Sequence, residues 1–276
     1  MTDIQHIYKS TDKDKGILYA WFSAMHTRID ILLCGESESD LKYITKEIYN
    51  RIQSIEKTGN CFNKESELSY VNTIASYKPV KISPELFSLI SETIYYNKLT
   101  SGYFDVTVNS ENHNKESISN IVLQEKDSTI YFKEKGLKIN LSGLIKGYAL
   151  DSIRQILDKS GISDSLINMG NSSVIAIGNH PNGEGWKVGI NNATDTSPSK
   201  KILLKNQCLT TSGNDTLGRK HILDPHSNKY IEGLAQISVI TERATEGEVL
   251  STALFASTQT QHNIILKEFE ASVLYN

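Results

Sequence analysis

The feature that most limits what this chain can fold into is a change of pattern near residue 161. Before it, apolar residues recur at helical spacing in several long stretches. After it, they come in short runs at 165–177, 186–190, 201–204, 221–223 and 235–240, separated by clusters of Gly, Asn, Pro and Asp. Runs of that length and spacing predict a sheet of about five strands. Helices segregated from a largely antiparallel sheet define an α+β fold class. With no repeat, heptad, low-complexity tract or visible linker, residues 1–276 are expected to form one domain.

The helices announce themselves individually. Leu41, Ile44, Ile48, Ile52 and Ile55 fall three or four apart behind Ser37, Ser39 and Asp40, which supply the cap and first-turn chemistry of a helix. Ser66 offers a cap for a short helix, and Ser83-Pro84-Glu85 places Pro at a first helical position, with a stop near Gly102. Residues 17–33 read as two strands or one bent strand, and 103–108 as a strand followed by a loop. A hairpin is expected between 129–133 and 137–140. Helices are expected at 246–257 and beyond it, with an edge strand at 271–275.

The stretch 138–151, Lys-Ile-Asn-Leu-Ser-Gly-Leu-Ile-Lys-Gly-Tyr-Ala-Leu-Asp, reads as a strand end, a tight turn and the start of a helix that stops before Gly161. Backbone N–H groups and Lys146 at a helix N-terminus favour an anion, so this is a candidate phosphate site; plain turn chemistry explains the same composition.

Charge excludes one class of partner. The net charge is −3 with acids and bases interspersed, and no Lys/Arg run is long enough to neutralise a row of phosphates, so nucleic acid is not expected to bind. Cys34, Cys61 and Cys208 lie far apart without CxxC spacing, which predicts reduced, partly buried thiols rather than a zinc site or disulfide framework. No apolar stretch of about 18 residues is present, so no membrane span is expected. With no signal or lipobox in the sequence as it stands, the expected compartment is the cytoplasm.

Several segments together resemble the FAD:protein FMN transferase (ApbE) family from Met25 to about Ser257. Met25-His26-Thr27 is similar to the family's Met-Gly-Thr, and Ser66-Glu67-Leu68-Ser69 with Asn72 to its Ser-Glu-Leu-Ser-x-x-Asn. Residues 101–107 resemble Gly-x-Phe-Asp-x-Thr, and residues 140–151 resemble Asp-Leu-Gly-x-x-Lys-Gly-Tyr-x-x-Asp. Asn168-Met169-Gly170, Thr211-Ser212-Gly213, residues 221–225 and residues 250–254 follow in the family's order. Thr211-Ser212-Gly213 reads as a turn that can present N–H groups and hydroxyls to phosphate, although turn-forming alone explains its composition.

The resemblance implies a T-fold-like domain, FAD as substrate and a divalent cation, normally Mg2+, at the flavin diphosphate. It implies transfer of FMN from FAD onto a threonine hydroxyl of a flavin-accepting partner protein, with release of AMP. Two alternatives stay open: a flavin-binding homologue without transfer, and an FAD pyrophosphatase yielding FMN and AMP. The family it resembles is often exported and membrane-anchored, which implies the periplasm if a targeting segment was removed.

Site residues follow from the matched positions. Gly143, Glu248 and Thr252 correspond to the metal site, with Glu248 in place of the family's Asp. That change moves the carboxylate outward by roughly 1.5 Å. An i,i+4 pair does lie on one helix face, although Glu248 alone also reads as a first-turn acid. Met25, Phe62, Tyr103, Phe104 and Asp105 correspond to positions around the flavin and adenine rings, and Asn140, Lys146 and Ile222 to further cofactor contacts. Asn140 replaces an acid. A lone Asp105 between Phe104 and Val106 needs a partner, either a ring N–H or a backbone amide. His221 corresponds to a catalytic base, and equally reads as a strand-edge histidine bonded to backbone. Asp224 is expected to cap its turn or to orient His221.

Overall fold

The computed structural model describes residues 4–10, 16–35, 37–190, 200–214, 216, 218 and 220–275. The first strands are β1 (Gln5–Ser10), β2 (Gly16–Ala24) and β3 (Thr27–Gly35), and β2 and β3 form a hairpin through Met25 and His26, both at positive φ. Leu18, Ala20, Phe22, Ile29, Ile31 and Leu33 alternate onto one buried face, as a period of two requires. Helix α1 (Glu38–Gly59) turns its Leu41, Ile44, Ile48, Ile52 and Ile55 stripe onto that face, and Ser37 Oγ accepts from Asp40 N at 3.3 Å to cap it.

Next come α2 (Glu67–Ile74), capped by Ser66, a two-residue β4 (Val80–Lys81) and α3 (Pro84–Leu99), capped by Ser83. A second hairpin, β5 (Ile121–Gln124) with β6 (Thr129–Phe132), joins β4 in a small sheet. Helix α4 (Ile145–Lys159) leads to β7 (Ser165–Met169), β8 (Ser173–Ile177), β9 (Trp186–Ile190), β10 (Lys200–Leu204) and β11 (Gln207–Asn214). Short β12 (Leu223–Asp224) and β13 (Lys229–Tyr230) precede β14 (Ala235–Thr241), α5 (Ala244–Ala256), α6 (Gln259–Ile265) and β15 (Ser272–Tyr275).

The main sheet has eight strands in the order β1-β2-β3-β7-β8-β11-β14-β15, and every neighbouring pair is antiparallel. Helices α1, α4 and α5 cover one face. On the other face the β9–β10 ribbon packs Trp186, Ile190 and Leu204 over Val174, Ala176 and Leu209. The mixed helix and antiparallel-sheet architecture agrees with the expected α+β class. Cys34 and Cys61 are half-buried and in no disulfide, and burial pushes the Cys208 thiol up to about 12.

Four local expectations are corrected. Residues 137–140 do not pair with β6; β5 does, because the Asn72 side chain takes both backbone groups of Ile139 at 2.8 Å and leaves no ladder to form there. Residues 103–108 are turns, since Asp105 Oδ1 accepts from Thr107 N at 2.7 Å and folds the backbone back on itself. Thr211-Ser212-Gly213 lies inside β11 rather than in a turn. Gly213 is needed there because a Cβ would sit 2.2 Å from Ala235 O on β14. Only Leu223 of the run 221–223 is in a strand, and it pairs with Tyr230 in a separate two-stranded ribbon; runs 186–190 and 201–204 likewise form their own ribbon, and β1, β2, β3, β11 and β15 complete the main sheet with β7, β8 and β14.

The helical layer is pinned by a polar cluster. Glu85 of α3 bonds Arg51 of α1 and accepts from Tyr148 of α4 at 2.9 Å. Burial alone would push the Glu85 carboxyl up, but the hydrogen bonds from Arg51 and Tyr148 outweigh it and hold it below its ordinary value. A depressed carboxylate stabilises above its unfolded pKa, and that contribution is lost as pH falls through the folded value. Glu85→Gln is therefore expected to cost about 2 kcal/mol at neutral pH, the scale of a hydrogen bond between charged groups, as the partly buried Arg51 loses its counter-charge. Thermal melts from pH 7 to 3 should bring parent and variant together in acid; a constant gap would contradict the assignment.

Candidate functional site

The β7–β8 turn, the C-terminal end of β11 and the start of β14 lie at the same end of the main sheet. A cavity of about 1120 Å³ opens there. Phe62, Tyr103, Phe104, Asp105, Asn140, Gly143, Lys146, His221, Ile222, Glu248 and Thr252 all line it. Met25 does not. It sits at the β2–β3 turn, where its N–H donates to Glu56 at 2.8 Å, and it lines a neighbouring cavity of about 630 Å³ that shares Phe62 with the first.

The buried wall is built by α4 and α5. Lys146, in the first turn of α4, places Nζ 3.4 Å from Glu248 Oε1 and donates to Ser172 and to Ser173 Oγ, the latter at 3.0 Å. Ser173 donates in turn to Glu248, which is only 4% exposed. A buried carboxylate is thus matched by one ammonium and one hydroxyl, as low-dielectric surroundings demand. One turn along α5, Thr252 Oγ1 lies 3.2 Å from Ser212 Oγ. Gly143 stands opposite, where a Cβ would be 3.9 Å from Thr252 Oγ1 and 3.4 Å from the Phe104 ring.

Glu248, Thr252 and the Gly143 turn bring together a carboxylate, a hydroxyl and backbone at one end of the cavity. Oxygen donors of this kind suit a hard divalent cation. Among the described residues no three His, Cys, Asp or Glu side chains gather as a metal cage. A cation here would rest on few charged donors and on the ligands that arrive with it.

Asp105 has its oxygens engaged from inside the protein. Oδ1 accepts from Thr107 N and Thr107 Oγ1, and Oδ2 lies 3.2 Å from His113 Nε2. Of the two partners considered from sequence, the backbone amide is present. Asn140 accepts from Ser142 N at 2.9 Å and donates to Asn109, so it shapes the turn that leads to Gly143.

His221 is exposed at the rim, on the hairpin that carries β12 and β13. Asp224 caps that hairpin, accepting from His226 N at 2.9 Å and Ser227 Oγ at 2.6 Å. The hairpin docks through His226, stacked on Tyr103 at 4.2 Å, and through Asn228, which bonds His113. Loop 101–113 and the His221 hairpin are therefore held as one unit across the cavity. In the β7–β8 turn, Asn171 takes a positive φ of 59° next to Gly170 at 65°, a conformation Asn tolerates.

Sequence reasoning gave no role to Ser172, Ser173 or His113. Each acts through a partner more than 25 positions away or in an irregular loop, where no periodicity points to it.

Comparison with known proteins locates this arrangement. The model of the ApbE family matches residues 25–274. A protein of Buchnera aphidicola from Schizaphis graminum, named FAD:protein FMN transferase, is 28% identical over 77% of this chain and 72% of its own length. A Chlamydia muridarum protein of the same name is 26% identical over 82% and 79%. Among solved structures, the flavin transferase ApbE of Vibrio cholerae superposes with a TM-score of 0.80 at 20% identity, covering 100% of this chain and 94% of that one. The ApbE protein of Thermotoga maritima gives 0.80 at 23% identity, over 99% and 94%.

Proposed function

The chain belongs to the ApbE family, and from that premise we propose that it is an FAD:protein FMN transferase. It would bind FAD in the large cavity and move the FMN half onto a threonine hydroxyl of a partner protein. The observation that carries this reading is convergence: stretches far apart in sequence, at 62, 103–105, 140–146, 221–222 and 248–252, face one space.

The diphosphate is the group proposed to lie beside α4 and α5. Lys146 is already paired with Glu248, and Lys220 at the rim bonds Glu232 at 2.6 Å. A diphosphate entering that space needs more positive charge than these lysines offer, which is the reason to propose Mg2+ at Gly143, Glu248 and Thr252. When bound, such an ion supplies charge neutralisation on the phosphoryl oxygens. Ser172, on the cavity wall beside Lys146, would donate to a phosphate oxygen, while the buried Ser173 holds Glu248 in place from behind. Phe62, Tyr103 and Phe104 offer apolar faces to the ring systems.

The chemical step forms a bond from the threonine oxygen to the FMN phosphorus and breaks the bond from that phosphorus to the AMP oxygen. The bonding pair leaves with AMP. His221, on the open side where a partner protein arrives, takes the hydroxyl proton.

Incubation with FAD, magnesium chloride and an acceptor polypeptide that presents threonine hydroxyls, followed by chromatography of the nucleotides, tests the reading. AMP released in step with flavin that stays on a polypeptide after denaturation is the expected result. Free FMN equal to AMP would make the protein a pyrophosphatase, and bound but unaltered FAD would make it a carrier. His221→Ala is expected to lower AMP release roughly a hundredfold without loss of FAD binding; an unchanged rate would remove His221 as the base.

A further inference from the structure

We propose that Asp151 is a positioning residue for this site: from α4 it sets the seat of α5 and so the place of the Glu248 carboxylate. Its consequence for catalysis rests on the transferase reading, whereas its grip on α5 does not.

The N-terminus of α5 has a problem of its own. Ala244 and Thr245 are fully buried, and the residue at the cap position, Arg243, makes no side-chain cap. Buried first-turn amides need acceptors from elsewhere. Asp151 provides them: Oδ1 accepts from Ala244 N at 2.8 Å, and Oδ2 accepts from Thr245 N at 3.0 Å and Thr245 Oγ1 at 2.6 Å. A carboxylate at this end also meets the positive pole of the helix.

The same segment grips α5 a second time. Lys146 lies one and a half turns before Asp151 on α4 and bonds Glu248, about 6 Å along α5 from Ala244 at 1.5 Å per residue. Between the two contacts lies Gly147, where a Cβ would stand 2.4 Å from Ala244 O. Two anchors on one helix, with the backbones in contact between them, fix both rotation and sliding of α5. A single anchor fixes only one. Asp151 does not line the cavity, so its influence on chemistry runs through the helix that carries Glu248 and Thr252.

Amide hydrogen exchange on the ligand-free protein gives the first test. Asp151→Ala is expected to raise exchange about tenfold or more across α5 as far as Thr252, while α1 keeps its protection. Increased exchange confined to residues 244–247 would reduce Asp151 to a local cap and overturn the proposal. Steady-state kinetics gives the second. Displacing a charged group by about 1 Å can cost on the order of a hundredfold in rate, so kcat should fall at least about tenfold while KM for FAD stays within about threefold. The magnesium concentration for half-maximal AMP release should rise, and Asp151→Asn, which keeps one acceptor oxygen, should recover part of both. If kcat, magnesium requirement and exchange in Asp151→Ala match the parent, the inference is wrong. A parent that releases no AMP would remove the transferase reading, and the exchange result would still decide whether Asp151 seats α5.

Discussion

Glu248→Ala is expected to reduce AMP release by about three orders of magnitude, the scale on which a preorganised charged group at a phosphoryl centre acts. The side chain has two neighbours that lose by its removal: Lys146, whose ammonium is left without a counter-charge, and Ser173, whose hydroxyl loses its acceptor. The substitution also has a sign that can be read apart from its size. An unpaired Lys146 is free to bond phosphate, so FAD should bind at least as tightly while turnover collapses. Three variants separate a metal ligand from a lysine partner. Glu248→Gln keeps the hydrogen bond to Ser173 but not the charge, and should be nearly as slow as alanine. Glu248→Asp keeps the charge one bond nearer the backbone, roughly 1.5 Å, and should retain measurable activity with an altered magnesium requirement. AMP release against magnesium concentration measures all of them. A glutamine variant as active as the parent would mean that Glu248 serves only to hold Ser173.

Two kinds of reading were open in the sequence: site residues taken from matched family positions, and elements whose residues carry their own signal. Glu248 and Thr252 are of the first kind, their spacing adding only that both lie on one face of α5, whereas the periodicity of the Leu41 to Ile55 stripe is enough to lay α1 on the sheet. What stayed hidden depends on partners that periodicity does not register. Asn72 replaces a strand at Ile139 from 67 positions away, so an apolar run that looks like half of a hairpin is held by an amide instead. Thr211-Ser212-Gly213 has the composition of a turn, yet Gly213 is there for close contact with β14. Asp151 falls at the end of a stretch read as a phosphate loop, and its acceptors face α5, some 93 positions on. Asn72 and Asp151 give their hydrogen bonds to distant backbone and Gly213 serves a close backbone approach, and local pattern registers none of these.

Gly147→Ala sets two physical effects against each other and is expected to be decided by packing. In a helix interior the exchange should gain about 1 kcal/mol from propensity. The added methyl, however, would meet Ala244 O at 2.4 Å, Ala244 C at 2.6 Å and Thr245 Cα at 2.7 Å, all of them backbone atoms of α5. Backbone cannot rotate away as a side chain can, so the two helices must separate. Overpacking of that kind costs about 3 kcal/mol or more, and the net loss should lower the melting temperature by about 5 °C in a chain of this size. Gly183, with nothing within 4 Å of a Cβ and no positive φ, is the matched control and should tolerate alanine. Separation of α4 from α5 would also draw Lys146 from Glu248 and Asp151 from the α5 amides together, so activity should fall further than the folded fraction does. If Gly147→Ala melts at or above the parent and turns over FAD normally, the close crossing of α4 and α5 is not what holds the site in place.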